Sequence, residues 1–569
     1  MRPELTIVLA GSLLFALSPA PGVAQSTLPR QHSPRPTVAA ITPGDLMTRL
    51  YVLADDSMQG REAGALGNVK GTDYIAAEAR RIGLTPAGEN GTYFQTVPYK
   101  TRALDTMSVV SVSGSPLTLG DDYLPVSQEP ADLDGIGIVY GGEIGDTTAA
   151  LTPDQARGKL VVLSIPAGGS VMRLRSAPTV EGAAALAVVG LDQLPAQIRP
   201  YLTRPRGFVD DPDAPEAEDE SSTVLLVSAA AAGRMFSAPL AQLHTGDSGA
   251  TASIHVSYDV EPMPYPSRNV VALIPGRDPE LKGEYVALGA HSDHIGFNQH
   301  PVAEDSIRIW NQVVRPEGVD DAGNQASPAQ QEHVDSMLAA YRTTHPGSAR
   351  PDSIFNGADD DGSGSVGLLE IAEKMVSLDP GPRRSILFVW HVGEEKGLLG
   401  SRYFTDHPTV PRDSIVAQLN MDMIGRGDAE DETGHTKDGE AHHGGPGYLM
   451  LVGSRRLSTE LGDLVETVNT QDRHGLTFDY AFDADGHPAN IYCRSDHYEY
   501  ARYGIPIVFF TTGLHRDYHQ VSDEAQYVDY THMAKVVSLV EDVAEHVADL
   551  DHRVVVDHPK PDPFGTCRQ

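Results

Sequence analysis

Residues Phe388 to Ser401 read FVWHVGEEKGLLGS: an apolar run that stops at Gly393 and meets two adjacent acids, Glu394 and Glu395. A short apolar run bounded by glycine fits a strand buried on both faces. Consecutive side chains of a strand diverge, so two acids leaving its end project to different sides of the sheet rim. The same texture recurs in NVVALIPG, in EYVALGAH ending at His291, in IVAQLNMDMIG around Asp422, in YLMLVG and in IPIVFFTTG. Helical periodicity lies between these runs, in SVGLLEIAEKMVSL, in STELGDLVETVNT and in a last long stretch from Thr531 to Leu550. Strand alternating with helix predicts an α/β fold with a mostly parallel mixed sheet flanked by helices.

The chain has 569 residues, more than the about 250 to 300 at which one core stops growing, so two or three domains are expected. Upstream, NVKGTDYIAAEARRIGL predicts a helix stopped at Gly83. From 107 to 258 the texture turns to short β-rich runs between Gly, Pro and Asp turns, which predicts a separate inserted module. The Pro-rich VEPMPYPSRN at 260–269 reads as the return linker. The expected division is a signal peptide at 1–24, a linker at 25–41, a main domain at 42–106 and 259–550 around the insert, and a tail at 551–569. Two connections, Gly296–Asn356 and Gly425–Gly447, are longer than a compact domain needs and are read either as functional covers or as surface decoration.

With 78 acidic against 43 basic residues the formal charge is −35. Such a field repels phosphate backbones, so nucleic acid is not an expected partner. Arg2, the apolar LTIVLAGSLLFAL and the small-residue site ending at Ala24 form an export signal, shorter than the roughly 20 apolar residues that span a bilayer. The expected location is therefore secreted or periplasmic, with no membrane anchor. An exported chain permits a disulfide, and whether Cys493 and Cys567 meet stays open. Oligomeric state is not legible.

Ligands of open α/β sheets collect beyond the carboxyl ends of the strands, and polar groups appear there five times. GAHSDH places His291, Asp293 and His294 after a strand; a His followed by Asp suits a metal ligand oriented by a carboxylate. NGADDDGSGS carries Asp359, Asp360 and Asp361, whose mutual repulsion calls for a cation or open solvent. It is no EF-hand: with Gly362 at loop position six, positions one and twelve are Gly357 and Leu368. The twin acids are the third group, and Asp422, an acid in an apolar strand, is the fourth. DYHQVSDE, with Tyr518 and His519, is the fifth. Each alone also fits a structural role. Together they offer imidazoles and carboxylates without thiolate, a donor set for one or two divalent ions, zinc first.

In this order, LADDSMQGREAG, AHSDH, NGADDDGSGS, HVGEEKGLLGS, LNMDMIGR, RSDHYEYARYGIP and DYHQVSDE resemble the M28 family of co-catalytic zinc peptidases, the aminopeptidase and glutamate-carboxypeptidase-like group. The resemblance covers about 45–100 and 265–550, and the insert resembles a protease-associated domain. It implies a zinc-exopeptidase fold and two zinc ions, with His291 and Asp422 on one, Glu395 and His519 on the other, and Asp360, four positions before Gly364, bridging both. It further implies Glu394 as general base, Asp293 as partner of His291, and Tyr518 as support for the tetrahedral intermediate. Peptides are the implied substrates. Asp496 suits a substrate's free amine and Arg494 a free carboxylate, so an aminopeptidase leads while a dipeptidase or carboxypeptidase stays open. A glutaminyl-cyclase-like activity would need fewer metals. A binding protein on a dead scaffold would lack a ligand or the base, and neither is missing here.

Overall fold

The computed structural model describes residues 28–126, 130–146, 150–166, 168–169, 180–194, 199–202, 204–213, 223–321 and 325–569. The expected signal peptide, 1–24, lies outside the described residues. No described helix is long and apolar enough to cross a membrane.

The main body is built on strands β1 (Ser267–Ile274), β2 (Tyr285–His291), β3 (Ser385–His391), β4 (Ile415–Met421), β5 (Tyr448–Val452) and β6 (Ile507–Thr511). They lie in the order β1-β3-β2-β4-β6-β5 within a nine-stranded sheet. The four central strands β3, β2, β4 and β6 run parallel, while β1 and β5 pair antiparallel at the flanks. All four parallel strands thus end at one rim, where His291 closes β2, Glu395, Asp422 and His519 come after β3, β4 and β6, and Asp360 lies in the turn before the helix that starts at Gly364.

Period-two alternation divides the strands between two cores. Val270, Ala272, Val286, Leu288, Ala290, Ile386, Phe388 and Trp390 face one side, and Val271, Ala287, Leu387 and Val389 the other. The first side packs on α1 (Pro43–Leu53), α2 (Leu66–Ile82), α3 (Gly364–Val376), α4 (Thr459–Gln471) and α5 (Tyr530–Asp549). Local chemistry sets their ends: Thr42 and Asp529 accept the first free N–H groups of α1 and α5, and α2 stops at left-handed Gly83.

The β-rich residues expected in the insert form an eight-stranded sheet with cores on both faces. Strand Tyr99–Leu104 pairs antiparallel with Tyr258–Pro262, so the chain leaves and returns through one ladder. The start of the Pro-rich return is therefore strand, its prolines confined to the ladder's end.

Three stretches read as connections or tail are docked structure. Gly296–Asn356 contains helices Glu304–Val314 and Pro328–Thr344 and a strand pair. Gly425–Gly447 contains a small hairpin, and His435 Nδ1 reaches Glu317 Oε1 of the first connection at 2.7 Å. The tail is sewn down by a disulfide between Cys493 and Cys567, with Cα atoms 5.9 Å apart, and by Gln569, which accepts from the Tyr492 N–H.

Candidate metal centre and cleft

His291 is the last residue of β2 and sits opposite His391 in the parallel register with β3. Its Nδ1 faces the main-chain oxygen of Asp293 at 3.1 Å, which directs Nε2 at the carboxylates. Nε2 lies 3.1 Å from Asp360 Oδ1 and 3.6 Å from Asp422 Oδ1. On the other side, Asp360 Oδ2 lies 3.0 Å from His519 Nε2, which is also 3.0 Å from Glu395 Oε2. One carboxylate therefore offers one oxygen to each of two donor sets, His291 with Asp422 and Glu395 with His519. His294 Nδ1 approaches the second set, 2.7 Å from Glu395 Oε1.

These groups are buried or nearly so, and among the described residues no lysine or arginine is ion-paired to Asp360, Glu395 or Asp422. Burial opposes ionisation of Asp360, yet His291 and His519 outweigh it and hold the carboxyl well below the usual range. Burial and Asp360 oppose ionisation of Glu395, and His519 and His294 bring it down to about 2. Conversely, burial disfavours a charged His519, but Glu395 and Asp360 push it up to about 10. The carboxylates draw positive charge onto His291 and His519, and a divalent ion held there would supply that charge in place of protons. His291 Nε2 is buried and, though 3.1 Å from Asp360 Oδ1, makes no hydrogen bond of good geometry, as a free ligand atom would. The residues present fit zinc: nitrogen and oxygen donors, no thiolate, ligand atoms of each set within 4.8 Å of one another.

Glu394 follows Gly393, whose φ of +75° turns the chain out of β3. Its Oε2 stays 3.9 Å from His291 Nε2, outside both donor sets. Burial pushes its carboxyl well above the usual carboxylate range. The cleft beside it is lined by Asp360, Glu394 and Asp422, by Arg494 and Tyr518, and by the apolar Met423, Met450, Ile491, Phe509 and Leu514.

Residues 331–544 match the model of peptidase family M28. This part of the chain is similar to the M28 peptidases. Among curated proteins, the leupeptin-inactivating enzyme 1 of Streptomyces exfoliatus is 27% identical over 178 residues, 31% of this chain and 33% of that protein. Leucine aminopeptidase 1 of Aspergillus niger is 28% identical over 186 residues, 31% of this chain and 42% of that protein. The aligned part spans less than half the length of either relative. Among solved structures, an aminopeptidase from Aneurinibacillus sp. strain AM-1 aligns over 91% of this chain and 97% of that chain with a TM-score of 0.46 and 14% identity.

The M28 match contains Asp360, Glu394, Glu395, Asp422 and His519 and begins after His291; the fold brings all six to one rim. Three expectations change. Asp293 does not hold the His291 ring through its carboxylate, which is 3.8 Å from Nδ1. Asp293 Oδ1 instead accepts the N–H groups of Gly393 and Glu394 at 2.7 and 3.2 Å, and so fixes the turn that presents the base. Asp496 cannot meet an amine: it is fully buried, 3.3 Å from His391 Nδ1, because the short helix His497–Ala501 turns it under the sheet rim. Arg494 does line the cleft, but its Nη1 already meets Asp320 Oδ2 at 2.7 Å and its Nη2 donates to the Tyr518 hydroxyl at 3.2 Å.

Three supporting residues, Ser495, Asn420 and Arg61, escaped the sequence reading, and Asp361 was singled out there without its structural role. Ser495 donates to Asp422 Oδ2 at 2.7 Å, and Asn420 in turn donates to Ser495. The alternation of Gln418 and Asn420 on β4, continued by Asp422 just past its end, was the signal for this relay. Asp361 Oδ2 accepts the His291 N–H at 3.0 Å. Arg61, buried in the motif QGRE, donates to the carbonyls of Leu53, Ser292, Asn356 and Gly357.

Proposed function

We propose that the chain is an exported co-catalytic zinc exopeptidase, an aminopeptidase that releases N-terminal residues from peptides. The observation that carries this reading is the division of Asp360 between two donor sets with an unliganded acid beside them. His291, Asp360 and Asp422 would hold one zinc, and Asp360, Glu395 and His519 the other. Bound there, the ions would polarise the scissile carbonyl and acidify the attacking water.

The chain's own groups account for the rest. Glu394, committed to neither donor set, takes the water's proton and returns it to the leaving amine. A carboxyl raised by burial is matched to that exchange, since it holds a proton it must later give up. Tyr518 accepts from Arg494, so its own O–H is left to donate toward the developing oxyanion. The apolar wall of Met423, Met450, Ile491, Phe509 and Leu514 takes an apolar first side chain, and removal of such residues is consistent with the name of the leucine aminopeptidase relatives. The acids at the inner end of the cleft favour a free amine there, and the one arginine is already paired, which supports an aminopeptidase over a carboxypeptidase.

The test is turnover of leucine-led peptides by zinc-loaded protein, with N-termini free or acetylated. Free N-termini are cleaved and acetylated ones are not; cleavage of the acetylated series overturns the reading. Glu394→Gln keeps its zinc and loses at least about 100-fold in kcat, whereas Glu395→Ala loses zinc from the His519 side. Equal zinc content and equal activity in the two variants refute the division of roles.

A further inference from the structure

The long connection after β2 reaches back into the cleft. Its helix Glu304–Val314 sends Arg308 Nε to Asp517 Oδ1 at 3.1 Å and Asn311 Nδ2 to the Arg516 oxygen at 2.7 Å. The turn that follows lies against the loop carrying Tyr518 and His519. Val319 N–H donates to the Tyr518 oxygen, and Gly318, at φ +62°, packs so closely that a Cβ there would stand 2.6 Å from the same atom. Glu317 in this turn meets His435 of the second long connection. Asp320 is thus carried on a segment fixed from both sides, and its Oδ2 meets Arg494 Nη1 at the cleft wall.

An arginine lining a peptidase cleft is a ready receptor for a carboxylate, because its planar fork binds one bidentately. Here the fork is occupied: Asp320 on Nη1, the Tyr518 hydroxyl on Nη2. We propose that Asp320 determines specificity, by holding Arg494 so that the cleft presents no free cation to a substrate's C-terminal carboxylate. The inserted connection then keeps the enzyme an aminopeptidase indifferent to the far end of the peptide; without Asp320 the same cleft would select dipeptides with a free carboxylate. This rests on the aminopeptidase reading above and assigns a purpose to a segment that the metal chemistry does not use.

Asp320→Asn keeps a side chain of the same shape that can still accept from Arg494, and removes only the charge. The measurement is calorimetric binding of leucylglycine and leucylglycinamide to zinc-loaded Glu394→Gln protein, with and without Asp320→Asn, at pH 7.5. While Asp320 is present the two peptides bind alike. With Asp320→Asn the free acid gains on the amide by about tenfold, as a new charge-assisted contact gives, and Asp320→Glu restores parity. An unchanged ratio with Asp320→Asn, or a preference for the free acid already present with Asp320, overturns the proposal. Loss of affinity for both peptides in equal measure assigns Asp320 a structural role and overturns it as well. If neither peptide binds the Glu394→Gln protein that still carries Asp320, the aminopeptidase reading itself fails, an outcome distinct from binding with an unchanged ratio.

Discussion

Replacing Arg61 by methionine removes the clamp under the metal site while nearly keeping its volume. The side chain is 1% exposed and donates to Ser292 at 3.2 Å, Leu53 at 3.1 Å, Asn356 at 2.6 Å and Gly357 at 2.8 Å. Hydrogen bonds from a charged donor contribute about 1.5–3 kcal/mol each, so the four together approach roughly 6–12 kcal/mol. Against that stands the cost of burying the guanidinium, several kcal/mol and visible as a lowered pKa dominated by desolvation. The net loss in Arg61→Met is about 3–5 kcal/mol, in the range for breaking a buried charged network. Two of the freed carbonyls adjoin the site: Ser292 follows His291, and Gly357 opens the turn to Asp360. Zinc affinity should therefore fall about 10- to 100-fold, as when the partners of metal ligands are removed. Urea unfolding of the metal-free protein and competition with a zinc chelator read the two effects separately. Arg61→Lys recovers only part of either, since one ammonium cannot address four carbonyls in a fixed fork. A methionine variant within about 1 kcal/mol of the parent and with unchanged zinc affinity would refute the reasoning.

Two further predictions concern the far side of the sheet. The disulfide closes a span with a separation of 74 residues, so Cys493→Ser/Cys567→Ser should lose about 4 kcal/mol by chain entropy, read as a lower urea midpoint; an unchanged midpoint would refute that contribution. His497 is buried against Phe509, and burial lowers its pKa to about 3. A histidine depressed in the fold binds its proton more readily when unfolded, so its contribution is complete above about 6.5 and is lost as pH falls toward 3, by up to about 1.4 kcal/mol per pH unit. His497→Gln should flatten the fall in stability between pH 7 and 5, and an identical pH dependence in the variant would contradict the assignment.

Much of this architecture was legible because parallel strands buried on both faces must be nearly continuous apolar runs. EYVALGAH and FVWHV announce β2 and β3, and their ends announce His291 and the twin acids. What stayed hidden depends on contacts distant in sequence. RSDH offers Asp496 to a substrate's amine on sequence alone, and only the packing of His497–Ala501 shows that Asp496 faces His391 rather than the cleft. The connection Gly296–Asn356 has a small core of its own around Ile309, Val314 and Val334, but what docks it is contact with Asp517, Arg516 and Tyr518, some 200 residues away in sequence. Spacing also could not separate the roles of Asp359, Asp360 and Asp361 on physical grounds, since three consecutive acids look alike until the backbone donors around them are known.

Those donors explain how one rim sorts its acids. Asp359 Oδ1 accepts the Gly425 N–H, Asp361 accepts those of His291 and Gly364, Asp293 those of Gly393 and Glu394, and Asp523 those of Asp359 and Asp360. A buried carboxylate oxygen that accepts peptide N–H groups is committed to them, and it serves as a brace for the turns at the strand ends. Asp360, Glu395 and Asp422 accept no backbone N–H among the described residues; they face imidazoles and, for Asp422, the Ser495 hydroxyl. Their lone pairs are the ones left for a cation. Glu394 is a third kind: it has neither backbone donors nor a place in either donor set, so its proton is the one free to move. The like-charged pair at the end of β3 is tolerable for the same reason, because Glu395 is answered by His294 and His519 while Glu394 stands outside both donor sets.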